Sequence, residues 1–245
     1  MSKTIEIKTA DGMMPVFVCH PDGKGPWPAI IMYMDAPGIR DELKSMARRL
    51  SGAGYYVLLP HLYHRTRQDV TIDPTKLHHD GPDRKRMMAL IDSISVETVM
   101  TDTAALLDQI ALTPEIRQDL IGCVGYCMSG PYVVAATERF SSRFKAAAAF
   151  FGTFMVTEDS DSPHRNLNGV KADLYVGFAE KDRFSPPALI DTFRRAVADS
   201  GVKADVEVYP GVDHAFAFPL RSTYHQPSAE LHWTRMTDFF AKGLR

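Results

Sequence analysis

A cysteine inside a glycine-flanked turn is the residue of this chain best placed to do chemistry. Residues 120–131 read LIGCVGYCMSGP. An apolar strand pattern runs into Gly125-Tyr126-Cys127-Met128-Ser129-Gly130, and a helical pattern opens at once, with Pro131 in its first turn. This is the layout of a nucleophile elbow, a strand-to-helix turn so tight that small residues are wanted two before and two or three after the nucleophile. Gly125, Ser129 and Gly130 meet that demand. Cys127 would then stand at a helix N-terminus, where backbone N–H groups and the helix dipole favour a thiolate. A thiolate so placed attacks carbonyl carbon, and the chemistry it suggests is acyl transfer.

Such a nucleophile needs a base, and the base needs an orienting acid. Among nine histidines, His214 follows the last strand pattern, in Tyr209-Pro210-Gly211-Val212-Asp213-His214-Ala215-Phe216. A loop after a strand's C-terminal end is where an open α/β sheet builds its site. Asp182 or Glu180, in the loop after the preceding strand pattern, would reach the same edge. The chain order is then nucleophile, acid, base. Met34-Asp35-Ala36-Pro37-Gly38, after an early apolar strand, could supply one oxyanion donor, the Ala36 N–H. The residue after the nucleophile, Met128, would supply the other. Asp35 is an unusual acid at a strand end unless something holds it.

Competing readings are weaker. Cys123 lies within the strand and reads as a buried thiol. Paired with Cys127 but lacking a second cluster, it makes a poor zinc site. Ser129 as nucleophile would put Pro131 where the elbow wants a small residue. His61, His64, His78 and His79 share a polar loop with no carboxylate or cysteine in register for a metal. His225 and His232 fall in or beside the last helical segment and read as solvated or core.

Elements that could hold these groups follow from periodicity. Alternation over 4–8, the turn Ala10-Asp11-Gly12 and a second arm over 15–19 form a hairpin. Unalternating apolar runs at 29–34 and 55–59, with 121–126, 144–151 and 174–178, read as strands covered on both faces. Alternation over 202–209 gives one more. Helical spacing marks 40–50, two stretches around 87–91 and 96–110, then 131–137, 187–198 and 229–244. Strands alternating with helices after a hairpin predict an α/β fold, a mostly parallel central sheet with helices on both faces. The stretch TEDSDSPHRNLN, 157–168, reads as a surface loop near the site rather than a linker. Residues 1–245 are read as a single domain.

Composition excludes several function classes. The net charge is -2, and the longest basic cluster, Asp83-Arg84-Lys85-Arg86, reads as a solvated helix face, so no nucleic-acid partner is expected. No apolar stretch is long enough to span a membrane. The start, MSKTIEIKTADG, lacks the apolar core of a signal peptide. Three cysteines, an odd number, make no disulfide framework and point to a reducing, cytoplasmic setting.

With these residues in place, the chain resembles the dienelactone hydrolase family of α/β-hydrolases. The resemblance rests on Gly125 to Gly130, on Leu59-Pro60-His61-Leu62-Tyr63, on Asp182 in its loop and on Gly211-Val212-Asp213-His214-Ala215-Phe216. It implies the α/β-hydrolase fold and a Cys-His-Asp triad of Cys127, His214 and Asp182. It also implies an acid beside the oxyanion loop that interacts with the cysteine; the matching position is Asp35, where the family usually has Glu. Three departures stand out. Ser129 replaces a usual Gly, and His61 replaces an Asp. Phe218 stands where the family carries an Arg that binds the substrate carboxylate. A second family Arg matches Arg84 or Arg86, and Arg221 is a further candidate for the pocket.

The expected activity is hydrolysis of carboxylic esters or lactones through a thioester, with no metal or organic cofactor. Without an Arg at 218 the expected small-molecule substrate is neutral or apolar, with Phe216 and Phe218, joined by Phe151 or Phe154, as pocket walls. Two alternatives remain open at this level: phosphotriester or thioester hydrolysis on the same triad, and a non-catalytic, redox-sensing module built on the thiol. The expected state is monomer or homodimer.

Overall fold

The computed structural model describes residues 1–66, 70, 72–77 and 81–245; the expectation for His78 and His79 lies outside the described residues. A hairpin of β1 (Ser2–Thr9) and β2 (Gly12–Cys19) opens the chain. Then come β3 (Trp27–Tyr33), α1 (Asp41–Gly52), β4 (Tyr56–Pro60), α2 (Pro82–Asp92) and α3 (Val96–Ala111). The second half continues with β5 (Ile116–Tyr126), α4 (Gly130–Arg139), β6 (Phe144–Phe150), β7 (Asp173–Ala179), α5 (Pro187–Ser200), β8 (Ala204–Tyr209) and α6 (Gln226–Gly243).

Among the described residues, eight strands form one sheet in the order β1-β2-β4-β3-β5-β6-β7-β8. The β1–β2 and β2–β4 pairs are antiparallel; every other pair is parallel. The unalternating apolar runs are explained by cover on both faces. Gly122 and Gly125, an odd number of residues apart on β5, point to opposite faces. A Cβ on Gly122 would meet Phe240 and Leu244 of the C-terminal segment at 3.0 and 3.1 Å, and one on Gly125 would meet Val133 of α4 at 2.8 Å. On the first face α1 and α6 are joined, with the Arg49 guanidinium 4.4 Å over Trp233 and paired with Glu230. The Ala-rich run of β6 is fully buried, and small side chains there admit close helix packing.

Some boundaries differ from the periodicity reading. Strand β5 begins at Ile116, not 121, because Ile116 and Arg117 pair with Trp27 and Pro28 before a register shift. The polar run Arg117-Gln118-Asp119 masks this in the sequence. The 157–168 stretch holds two short 3-10 turns, Pro163–Arg165 and Leu167–Gly169. Strands β3 and β5 are neighbours, yet the chain leaves β3 toward β4 on one side and β5 toward β6 on the other. A crevice opens between diverging connections at the carboxyl ends of such strands, and the loops carrying Ala36 and Cys127 both start there.

Candidate active site

Cys127 occupies the turn between β5 and α4 with a positive φ of 54°, a conformation unfavourable for an L residue and one that recurs where a side chain must be presented. The neighbours explain the demand for small residues. A Cβ on Gly125 would lie 2.6 Å from the Ser129 carbonyl oxygen, and one on Gly130 would lie 2.7 Å from Gly152 Cα. Ser129 is fully buried and its hydroxyl donates to the Met34 carbonyl at 2.5 Å, tying the elbow to the end of β3. Ser129 thus braces the elbow. Cys123 is fully buried, and desolvation pushes its thiol pKa well up. Cys127 is partly exposed.

His214 and Asp182 meet as the chain order suggested. His214 Nδ1 donates to Asp182 Oδ2 at 2.7 Å, and the other carboxylate oxygen accepts the Phe184 N–H at 2.9 Å. The Asp182 side chain is fully buried. Glu180, the other candidate acid, instead accepts the Gly211 N–H at 2.6 Å and braces the loop that carries His214. With Nδ1 engaged, Nε2 is left for Cys127. Burial opposes a charge on His214. The nearby Cys127 side chain, with the hydrogen bond to Asp182, outweighs it and pushes the pKa up to about 10. The His214 imidazole thus favours its protonated form beside Cys127.

Ala36 and Met128 line the same cavity as Cys127 and His214. The Tyr63 hydroxyl, buried, donates to the Ala36 carbonyl at 2.9 Å and lies 3.3 Å from the Met128 sulfur, so one side chain touches both expected oxyanion residues. Tyr63 was visible only as part of a motif.

Asp35 departs from expectation. The resemblance pairs this acid with the cysteine. Here both its oxygens are taken by Arg40, at 2.5 and 3.1 Å, and it is 2% exposed. Arg40 also bonds the Gly38 carbonyl and Glu42, and Glu42 accepts the Leu220 N–H at 2.8 Å. A residue shorter by one methylene than Glu is held by a cation that the sequence reading overlooked. The acid at a strand end did imply some such partner.

The cavity over Cys127 has a volume of about 360 Å³. Phe216 and Phe218, expected as walls, are not among its lining residues; both are fully buried. They form an aromatic layer beneath the site with Phe151. Phe151 lies 5.5 Å from Phe216 and 5.6 Å from Phe218, and abuts the His214 ring at 5.4 Å. Phe218 also carries the Arg40 guanidinium at 5.3 Å. Of the four phenylalanines only Phe154 reaches the cavity. Arg84 and Arg221 line it, together with Arg183; Arg86 does not, and pairs with Asp83 at 3.0 Å. Arg84, Met87, Met88 and Ile91 all line it, the spacing of one helix face, and Arg86 falls off that face.

Other described histidines make structural contacts or lie in the core. His64 bonds the fully buried Asp102 at 3.1 Å, which also pairs with Arg65, so the carboxylate partner absent from the sequence reading does exist. His225 bonds Ser228, and His232 is fully buried. No group of three or more His, Cys, Asp or Glu among the described residues is arranged to hold a metal. No helix among them is long and apolar enough to cross a membrane.

Comparison with known proteins places this geometry in context. The model of the Dienelactone hydrolase family matches residues 14–244. The chain is 27% identical over 242 residues to a Methylorubrum extorquens protein named "Putative carboxymethylenebutenolidase", covering 96% of this chain and 79% of the relative. The structure of "Putative Dienelactone Hydrolase from Klebsiella pneumoniae subsp. pneumoniae MGH 78578" superposes with a TM-score of 0.86 at 25% identity, covering 98% of each chain. A dienelactone hydrolase-like promiscuous phosphotriesterase from metagenomic libraries shares the fold, with a TM-score of 0.76 at 18% identity over 100% of this chain and 99% of the other.

Proposed function

As the chain belongs to the dienelactone hydrolase family, we propose that it hydrolyses carboxylic esters or lactones through Cys127, His214 and Asp182. The observation that carries this reading is the His214 imidazole bonded to buried Asp182 at 2.7 Å, in one cavity with Cys127 at the strained elbow. His214 holds the proton of Cys127, and the thiolate attacks the carbonyl carbon. The Ala36 and Met128 N–H groups bind the oxyanion; losing one such donor typically costs about 3–4 kcal/mol of transition-state stabilisation. His214 then protonates the departing alkoxide and leaves a thioester on Cys127. A water deprotonated by His214 attacks the thioester, and the collapse returns the proton to the pair and releases the carboxylic acid. The family assignment and the relatives' names support a lactone or ester hydrolase.

The substrate class follows from the charges. The expectation of a neutral substrate rested on the lack of an Arg at 218, but Phe218 itself is not in the pocket. Arg84, Arg183 and Arg221 are, none with a carboxylate partner among the described residues, and Arg221 Nη1 is buried with no acceptor. Of the facing acids, Asp35 is paired with Arg40, and Asp213 accepts the backbone N–H of His214. A buried donor without a partner is unfavourable until a ligand supplies one. The proposed substrate therefore carries an anionic group, which disfavours a neutral phosphotriester as the principal substrate. The test is a pair of phenyl esters, one with a ring carboxylate and one with its methyl ester. A charge-assisted contact of about 1.5–3 kcal/mol predicts a preference for the anion of about 10-fold or more in kcat/KM, lost in Arg221→Met. A native preference for the neutral ester would contradict the assignment.

A further inference from the structure

The cavity over Cys127 does not end there. A second cavity of about 260 Å³ adjoins it, and the two share Ile91, Met128 and Phe154. Ile94, Pro131 and Tyr132, all buried, give the second cavity apolar walls, whereas its acids Asp92, Asp159 and Asp161 are exposed. The three arginines and His214 line only the first. The pair of cavities is therefore polarised, with arginines that have no carboxylate partner among the described residues on the side of the base and an apolar, acid-rimmed space beyond Phe154.

Phe154 is fixed at this boundary. It is 54% exposed yet has a positive φ of 58°. Its segment is anchored to the elbow: the Thr153 N–H donates to the Cys127 carbonyl at 2.9 Å, and Gly130 and Gly152 approach so closely that neither accommodates a Cβ. An aromatic residue held in an unfavourable conformation by its surroundings is a candidate for a functional role.

The geometry of the tetrahedral intermediate decides which part of a substrate lies on each side. Its carbon bears the Cys127 sulfur, the oxyanion, the alkoxide and the acyl substituent. The oxyanion faces Ala36 and Met128. The alkoxide must face His214, which protonates it. The acyl substituent is left to point away from His214, over Met128 toward Phe154.

We propose that the second cavity is the acyl-side subsite, and that it takes an extended apolar acyl group while the alcohol portion of the ester stays with His214 and the arginines. This rests on the reading of Cys127 as the nucleophile. The preferred substrate is then an ester of an alkyl or arylalkyl carboxylic acid with an anionic alcohol portion. The exposed carboxylates at the rim disfavour an acyl chain that ends in a carboxylate.

A series of p-nitrophenyl esters from acetate to octanoate tests it. The native protein should favour octanoate over acetate at least 10-fold in kcat/KM. Val96→Trp, which fills the subsite from the start of α3, should lower that ratio at least 10-fold. Asp161→Trp, at an exposed position, should do the same independently of any folding defect in the first variant. A native profile flat with chain length, or variants that leave the ratio unchanged, would overturn the subsite while leaving the thiol mechanism standing. A native protein that hydrolyses none of the series, or esterase activity that survives Cys127→Ala, would overturn the mechanism and the subsite together.

Discussion

Replacing Arg40 by Met tests what holds the oxyanion loop. The Arg40 guanidinium bonds Asp35 and Glu42, and the three side chains are 12, 3 and 6% exposed, respectively. Methionine preserves much of the volume and removes the charge, leaving two buried carboxylates with no cation. Removing one partner of a buried pair costs about 3–5 kcal/mol. For a chain of this length each kcal/mol shifts Tm by about 2–4 °C, so the loss should be on the order of 10 °C. The deficit should also depend on pH. Protonation neutralises the orphaned carboxylates in the folded variant, so that state binds protons more readily than the unfolded chain, and the deficit shrinks as pH falls from 8 to 5. Urea unfolding at both pH values reads this directly. Adding Asp35→Asn and Glu42→Gln should recover part of the stability at pH 8. A variant within about 2 °C of the parent, or a deficit equal at both pH values, would refute the argument.

Two other outcomes are expected. Asp182→Asn should lower kcat by about 10³-fold or more with little change in fold, because an amide no longer fixes the His214 tautomer; single-turnover ester hydrolysis checks it. His232, buried and with its pKa lowered to about 3 by desolvation, stays neutral in the fold but is protonated in the unfolded chain below about pH 6.5. The folded state thus binds fewer protons, and stability should fall by about 1.4 kcal/mol per unit as pH drops from about 6.5 toward 3. His232→Gln should flatten that slope in acid unfolding curves and leave it unchanged above pH 7.

The elbow was legible in the sequence because its constraints are local. Gly125, Cys127, Ser129 and Gly130 must answer one another within a single turn, and the clashes a Cβ would cause at Gly125 and Gly130 show why. The order Cys127, Asp182, His214 was legible because each follows one of the mutually parallel strands β5, β7 and β8, which brings strand ends to one edge. Pocket walls were not, because which residues of a loop face inward is set by packing from outside it. Phe216 and Phe218 are drawn under the site by Tyr126, Phe151 and Tyr209. The choice between Arg84 and Arg86 was available from helical phase: Arg84 shares the i, i+3, i+4, i+7 face with Met87, Met88 and Ile91. The Arg40 pair with Asp35 was half visible, since a buried acid at a strand end demands a cation.

The central claim is that Cys127 forms the covalent intermediate. Rapid acid quench after mixing with p-nitrophenyl acetate, followed by peptide mass spectrometry, should place one acetyl group on the peptide at Cys127. Cys127→Ala should show neither adduct nor turnover. An acetyl group on Ser129, or turnover undiminished in Cys127→Ala, would contradict the account.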